Sequence, residues 1–114
     1  MSSRSPALYL DDLLEAGQAI QDYVDKLSFE EFCSDRMRQS AVIREFEIIG
    51  EAVGKLPDDL KRDAPGVAWQ DIKDFRNLLI HEYFGVDLAI VWHVIQNDLP
   101  DLLQQVELLR RKSW

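Results

Sequence analysis

The chain holds a single cysteine, Cys33, in 114 residues, which excludes an intramolecular disulfide framework and makes a thiolate metal centre a poor reading. Cys33 is expected to act as a small buried or half-buried apolar residue. Prolines number four and glycines five, and no low-complexity tract, internal repeat or domain linker is visible. No window approaches the ~20 apolar residues that a membrane span needs. The opening Met1-Ser2-Ser3-Arg4-Ser5-Pro6 has no long apolar run after its positive charge, which argues against a secretory signal and makes the cytoplasm the expected compartment. Positive charge is scarce: 13 Lys and Arg against 21 Asp and Glu give a formal net charge of −8. That balance disfavours loose attachment to nucleic acid, so an RNA site in this chain has to be local. No stretch alternates apolar and polar residues between turns, so no sheet is expected.

What the chain does have is helical periodicity. Leu10, Leu13, Leu14, Gly17, Ile20, Val24 and Leu27 recur at steps of three and four behind Pro6, with acidic residues between them. Ser28 and Glu31 read as a capping box for a short helical turn through Cys33. Asp35 can cap a second long helix that Pro57 stops, with Val42, Ile43, Phe46, Ile49, Ala52, Val53 and Leu56 inward. Gly50 and Gly54 cost that helix stability, so close approach by another helix is expected there. Glu47 and Glu51 read either as a solvated, intrahelix-paired face with Arg44 or as a carboxylate ridge that orients a nearby cation. Residues 57–68 form a connection with room for one helical turn. A third helix begins near Ala68 or Trp69 with Ile72, Phe75, Leu78 and Leu79 as its core stripe, and Gly85 can end it. Asp87 caps a last helix running through Val91, Ile95, Leu99, Val106 and Leu109, which Pro100 should kink or break. The expected architecture is one all-α domain over residues 1–114: an antiparallel four-helix bundle with a short extra helical turn. Apolar residues make up 46% of the chain, enough for one modest core.

Chemistry concentrates in Arg76-Asn77-Leu78-Leu79-Ile80-His81-Glu82-Tyr83, which sets a guanidinium, an amide, an imidazole and a phenol close together. At roughly 100° per residue, Asn77 and His81 share a helix face, and an amide–imidazole hydrogen bond could fix the ring. Arg76 and His81 stand roughly 140° apart around the axis. They converge if the helix loosens near His81, if Arg76 bends along the surface, or if a second copy of the chain supplies one of them. Attack by a ribose 2′-hydroxyl on the adjacent phosphate needs proton removal and stabilisation of growing negative charge. Histidine titrates near neutrality and can move that proton. Arginine grips phosphate oxygens and stays charged. Such an internal nucleophile selects RNA over DNA. By itself an arginine followed by a histidine five positions on is a weak pattern, equally compatible with a surface arginine and a histidine satisfied at a helix end. His93, between Trp92 and Val94, reads as structural.

The wider context is more specific. The run from Phe75 to Asp87 closely resembles the signature of the HepT-like toxins, a branch of the HEPN ribonucleases, with the Arg-x4-His-x-Tyr motif complete. Ile48-Ile49-Gly50-Glu51-Ala52 followed by Pro57, Pro65-Gly66 before Trp69, and the leucine-rich opening helix are similar to the same family. The resemblance spans roughly Leu10 to Leu109. It implies a helical bundle that dimerises and brings two Arg/His sets to one cleft. It also implies a metal-independent endoribonuclease, the toxin of a type II toxin–antitoxin pair, that needs no cofactor. The implied partner is a small nucleotidyltransferase antitoxin of the MntA type, which uses ATP to place AMP on the motif tyrosine. Carried over, Arg76 and His81 are the catalytic pair, Asn77 supports them, Tyr83 is the modified residue, and Glu51 sits on the family's helix without an assigned role. The competing reading is a non-catalytic helical dimer that scaffolds a nucleotidyltransferase and uses the motif to bind a nucleotide phosphate. A dimer also has a physical motive, since one short bundle with one arginine and one histidine makes a thin active site.

Overall fold

Ser5 opens the first helix by accepting a hydrogen bond from the Ala7 amide at 3.2 Å, with Pro6 preset for the first turn. The computed structural model describes residues 4–82 and 85–112. Helix α1 runs Pro6–Tyr23, α2 Phe29–Cys33, α3 Arg36–Lys55, α4 Asp58–Arg62, α5 Trp69–His81, α6 Leu88–His93 and α7 Leu99–Arg110. A π-helical turn, Val94–Asp98, joins α6 to α7, so the two read as one long rod with a widened middle. No strand occurs among the described residues. The all-α reading holds, and no helix among those residues is long and apolar enough to cross a membrane.

Local chemistry sets the boundaries. The capping box is present in both directions: Ser28 Oγ accepts from the Glu31 amide at 3.1 Å, and Glu31 Oε1 accepts from the Ser28 amide at 2.9 Å. Asp35 caps α3 by accepting from the Arg38 amide at 3.0 Å. Lys26 takes a positive φ of 62° in the turn between α1 and α2. The break expected near Pro100 takes the form of the π turn. Proline lacks an amide hydrogen and its ring crowds the carbonyl four residues back, here Gln96, inside that turn. The ladder is re-formed by a wider bond from the Leu99 amide to the Val94 carbonyl.

Helix α3 is the central element. It packs against α1 on one side and α5 on the other, while α7 lies along α1 and α2 bridges α3 to α6. Neighbours run antiparallel: Asp11 pairs with Arg110 while Gly17 meets Leu103, and Phe46 meets Phe75 while Gly54 faces Lys73. Leu10, Leu13, Ile20, Phe32, Ile49, Leu60, Leu79, Leu99 and Val106 are fully buried along this interface. Phe46 and Phe75 meet edge to face at 5.2 Å and fasten α5 to α3. Trp92 packs on Phe32 and Phe29 at 5.3 and 5.9 Å.

Helix α5 rests on α3 with little contact to α7. The gap is a groove of about 610 Å³ lined by apolar side chains including Ile72, Phe75, Leu99 and Leu102, with Asp71, Asp98 and Asp101 beside them. Three expectations are corrected. Leu78 is not core but 45% exposed, because α5 buries a narrower stripe than a fully packed helix would. Cys33 is exposed at the end of α2 rather than buried. Gly54 answers no close approach, since an added Cβ there would find only Lys73 Cε at 4.0 Å.

Candidate active site

Arg76 is set by α3 as much as by its own helix. A Cβ built on Gly50 would fall 2.3 Å from Arg76 Cβ and 2.4 Å from its Cγ. The missing side chain is therefore what lets the arginine stem lie flat on α3. From there the guanidinium reaches two partners. Nη2 lies 3.5 Å from Glu51 Oε1, and Nη1 donates to Asn77 Oδ1 at 3.0 Å. The Nε edge is buried and, among the described residues, has no hydrogen-bond partner. The side chain as a whole remains 31% exposed, so the charged tip faces solvent while the stem is covered.

The two readings of the acidic ridge divide between its members. Glu47 pairs within its own helix with Arg44 at 3.4 Å, whereas Glu51 crosses to α5 and meets a cation. Spacing alone could not separate them, because both lie on one helix face and only the partner helix distinguishes them.

His81 is the last residue of α5 and is exposed. The amide–imidazole bond considered from spacing does not form; Asn77 turns its oxygen to Arg76 instead. The His81 side chain makes no hydrogen bond to another described residue. Tyr83 lies outside the described residues. The helix stays regular from Trp69 through His81, so Arg76 and His81 project roughly 140° apart. Arg76 is drawn sideways onto α3 and no contact joins it to His81 within the chain. His93 is exposed beside the π turn, with its Nδ1 3.1 Å from Asn97 Nδ2. Among the described residues, no three His, Cys, Asp or Glu side chains group as metal ligands would.

The arrangement offers a fixed, partly desolvated guanidinium with its tip open, a neutral amide beside it, and an exposed imidazole at a helix end. These can bind a phosphate and move a proton, but one chain does not place the two functions together.

Comparison with known proteins supplies the context. The family model described as "Ribonuclease HepT-like" matches residues 13–109. The chain is 42% identical over 108 residues to a protein of Thermococcus cleftensis named "Probable ribonuclease HepT", covering 95% of this chain and 98% of that one. It is 35% identical over 109 residues to a Methanocaldococcus jannaschii protein named "Putative RNase MJ1380", covering 96% and 100%. It is 38% identical over 110 residues to "Putative RNase TTE0752" of Caldanaerobacter subterraneus, covering 96% and 98%. No solved structure gave a significant match. With the match reaching from α1 through α7 and taking in the whole Arg76-to-His81 segment, the chain belongs to the HepT-like ribonuclease family.

Proposed function

We propose that this member of a ribonuclease family is a metal-independent endoribonuclease whose active site is completed by a second copy of the chain, and that it serves as the toxin of a toxin–antitoxin pair. The observation that carries the composite site is the separation of Arg76 from His81. Of the three ways these groups could converge, two find no support: α5 does not loosen before His81, and Arg76 bends toward α3. A symmetry mate remains, and two-fold pairing would set two arginines and two histidines in one cleft. Exposed Leu78 and Ile80, on either side of His81's face of α5, supply apolar surface for such a contact.

In this cleft, Arg76 holds the scissile phosphate and offsets its growing charge. One His81 takes the proton from the ribose 2′-hydroxyl as O2′ bonds to phosphorus. The bond from phosphorus to O5′ breaks, and O5′ receives a proton from solvent water, so one Arg76 and the His81 of the other copy make one complete site. The products are a 2′,3′-cyclic phosphate and a 5′-hydroxyl. Asn77 steadies the guanidinium through the bond it already makes. Purified protein in chelator is expected to cut RNA with these ends, and Arg76→Ala or His81→Ala should lower the rate by about a hundredfold or more. Full activity in both variants would reject the assignment.

The toxin role rests on the completeness of the Arg-x4-His-x-Tyr motif. Expression alone should arrest growth, and co-expression with a neighbouring nucleotidyltransferase should relieve it. Tyr83, two positions after His81, is the proposed acceptor of AMP from that partner's ATP. An adenylate there adds a negative phosphate and a purine, which compete with RNA for Arg76 and fill the cleft. Mass spectrometry should find AMP on Tyr83 and none on Tyr83→Phe; label on another residue removes this assignment.

A further inference from the structure

Resting on the reading of Arg76 as the phosphate ligand, we propose that Glu51 is an internal competitor for RNA. Its carboxylate occupies, in the free protein, the place on Arg76 that a phosphate oxygen takes when RNA binds. Four observations lead here. The stem of Arg76 lies in the space left by the missing Cβ of Gly50, to 2.3 Å, so the base of the side chain is held and the reach of the guanidinium is limited. The Nε edge is buried, which closes the sideways fork that arginine often offers to phosphate. Nη1 is already donating to Asn77. That leaves the outer edge at Nη2, and the group found there is Glu51 Oε1 at 3.5 Å.

The contact has the properties of something meant to be displaced. At 3.5 Å it is longer than the 2.7–2.9 Å of a strong charge-assisted hydrogen bond. Glu51 is 59% exposed and can swing into water without leaving a buried charge behind. An exposed ion pair of this kind is worth at most about fivefold in a binding constant. The carboxylate therefore orients the guanidinium, shields it from loosely held anions, and yields to a phosphate presented in the right place. Glu51 is thus a positioning residue that also sets a threshold for binding. A chain of net charge −8 makes the discrimination sharper, because neither an unanchored anion nor a stray strand of RNA gains general attraction.

The test uses Glu47 as an internal control. Glu47→Gln and Glu51→Gln each remove one negative charge from the same face of α3, but only Glu51 touches Arg76. Binding of a 2′-O-methyl RNA oligonucleotide, which lacks the nucleophilic hydroxyl, is read by fluorescence anisotropy on the full chain, with cleavage of unmodified RNA followed in parallel. Glu51→Gln should tighten binding about three- to fivefold, with Glu47→Gln close to wild type. In the cleavage assay the gain should appear in KM with kcat little changed. Equal tightening by the two variants would mean a general charge effect. Unchanged or weaker binding by Glu51→Gln would mean the carboxylate only supports the arginine, and absence of binding by wild type would mean no phosphate site exists; each overturns the proposal. Tighter binding by Glu51→Gln without any cleavage by wild type would leave it standing while removing the ribonuclease mechanism.

Discussion

At the residue scale, the two glycines of α3 carry opposite consequences. Their spacing marks Gly50 and Gly54 as a pair, and helical periodicity does not say which of them a neighbour approaches. Only the register of α5 against α3 does so, by laying Arg76 on the first and leaving the second in contact with little but a lysine tip. Gly50→Ala forces a methyl into the arginine stem near its backbone, so α5 must shift. A loss of about 1–3 kcal/mol in a denaturant titration is expected, with RNA cleavage falling toward the Arg76→Ala level. Gly54→Ala meets open space at an ordinary helical φ and should stabilise the fold by about 0.5–1 kcal/mol without loss of activity. The same limit explains Leu78 and Cys33. Residue type announces a preference for burial, but whether a neighbour arrives to bury the side chain is decided elsewhere in the chain.

At the scale of elements, the helices were largely legible because their ends are written in local chemistry: Pro6, the Ser28–Glu31 box, and Asp35. Two of these caps also carry a pH dependence. The Ser28 amide, as first cause, holds the Glu31 carboxyl below its ordinary value of 4.5, and the Arg38 amide and guanidinium hold Asp35 below 3.8. Both carboxylates bind protons less readily folded than unfolded. Their stabilisation is therefore complete above the ordinary values and is lost as pH falls through the lowered ones. The thermal midpoint should drop on acidification below pH 4.5, and Asp35→Asn should shrink that drop. An unchanged drop would deny the cap its role. The π turn was not legible in form, since a proline announces a missing donor without saying how the chain accommodates it. Helix α5 is supported on the α3 side and flanked by the groove on the other, with Leu79 its one fully buried residue. Phe75→Ala, which removes the ring packed edge to face against Phe46, should cost about 2 kcal/mol and raise amide exchange across Trp69–His81 above that of α1.

At the scale of the whole molecule, one chain positions Arg76 on α3 and does not bring His81 to it. The arginine is held by α3 while His81 faces solvent from the end of α5, with Leu78 and Ile80 exposed around it. This is why the sequence could name both residues yet leave open how they meet: helical periodicity describes one chain, and the proposed site belongs to two. The most direct test is complementation between two inactive variants. Arg76→Ala and His81→Ala proteins are purified separately, unfolded and refolded together in equal amounts, and assayed on RNA. A site built from the arginine of one copy and the histidine of the other is restored once in every mixed dimer, and half of the dimers are mixed, so about a quarter of wild-type activity should return. If the mixture stays as inactive as its components although mixed dimers have formed, Arg76 and His81 do not act across a pair of chains.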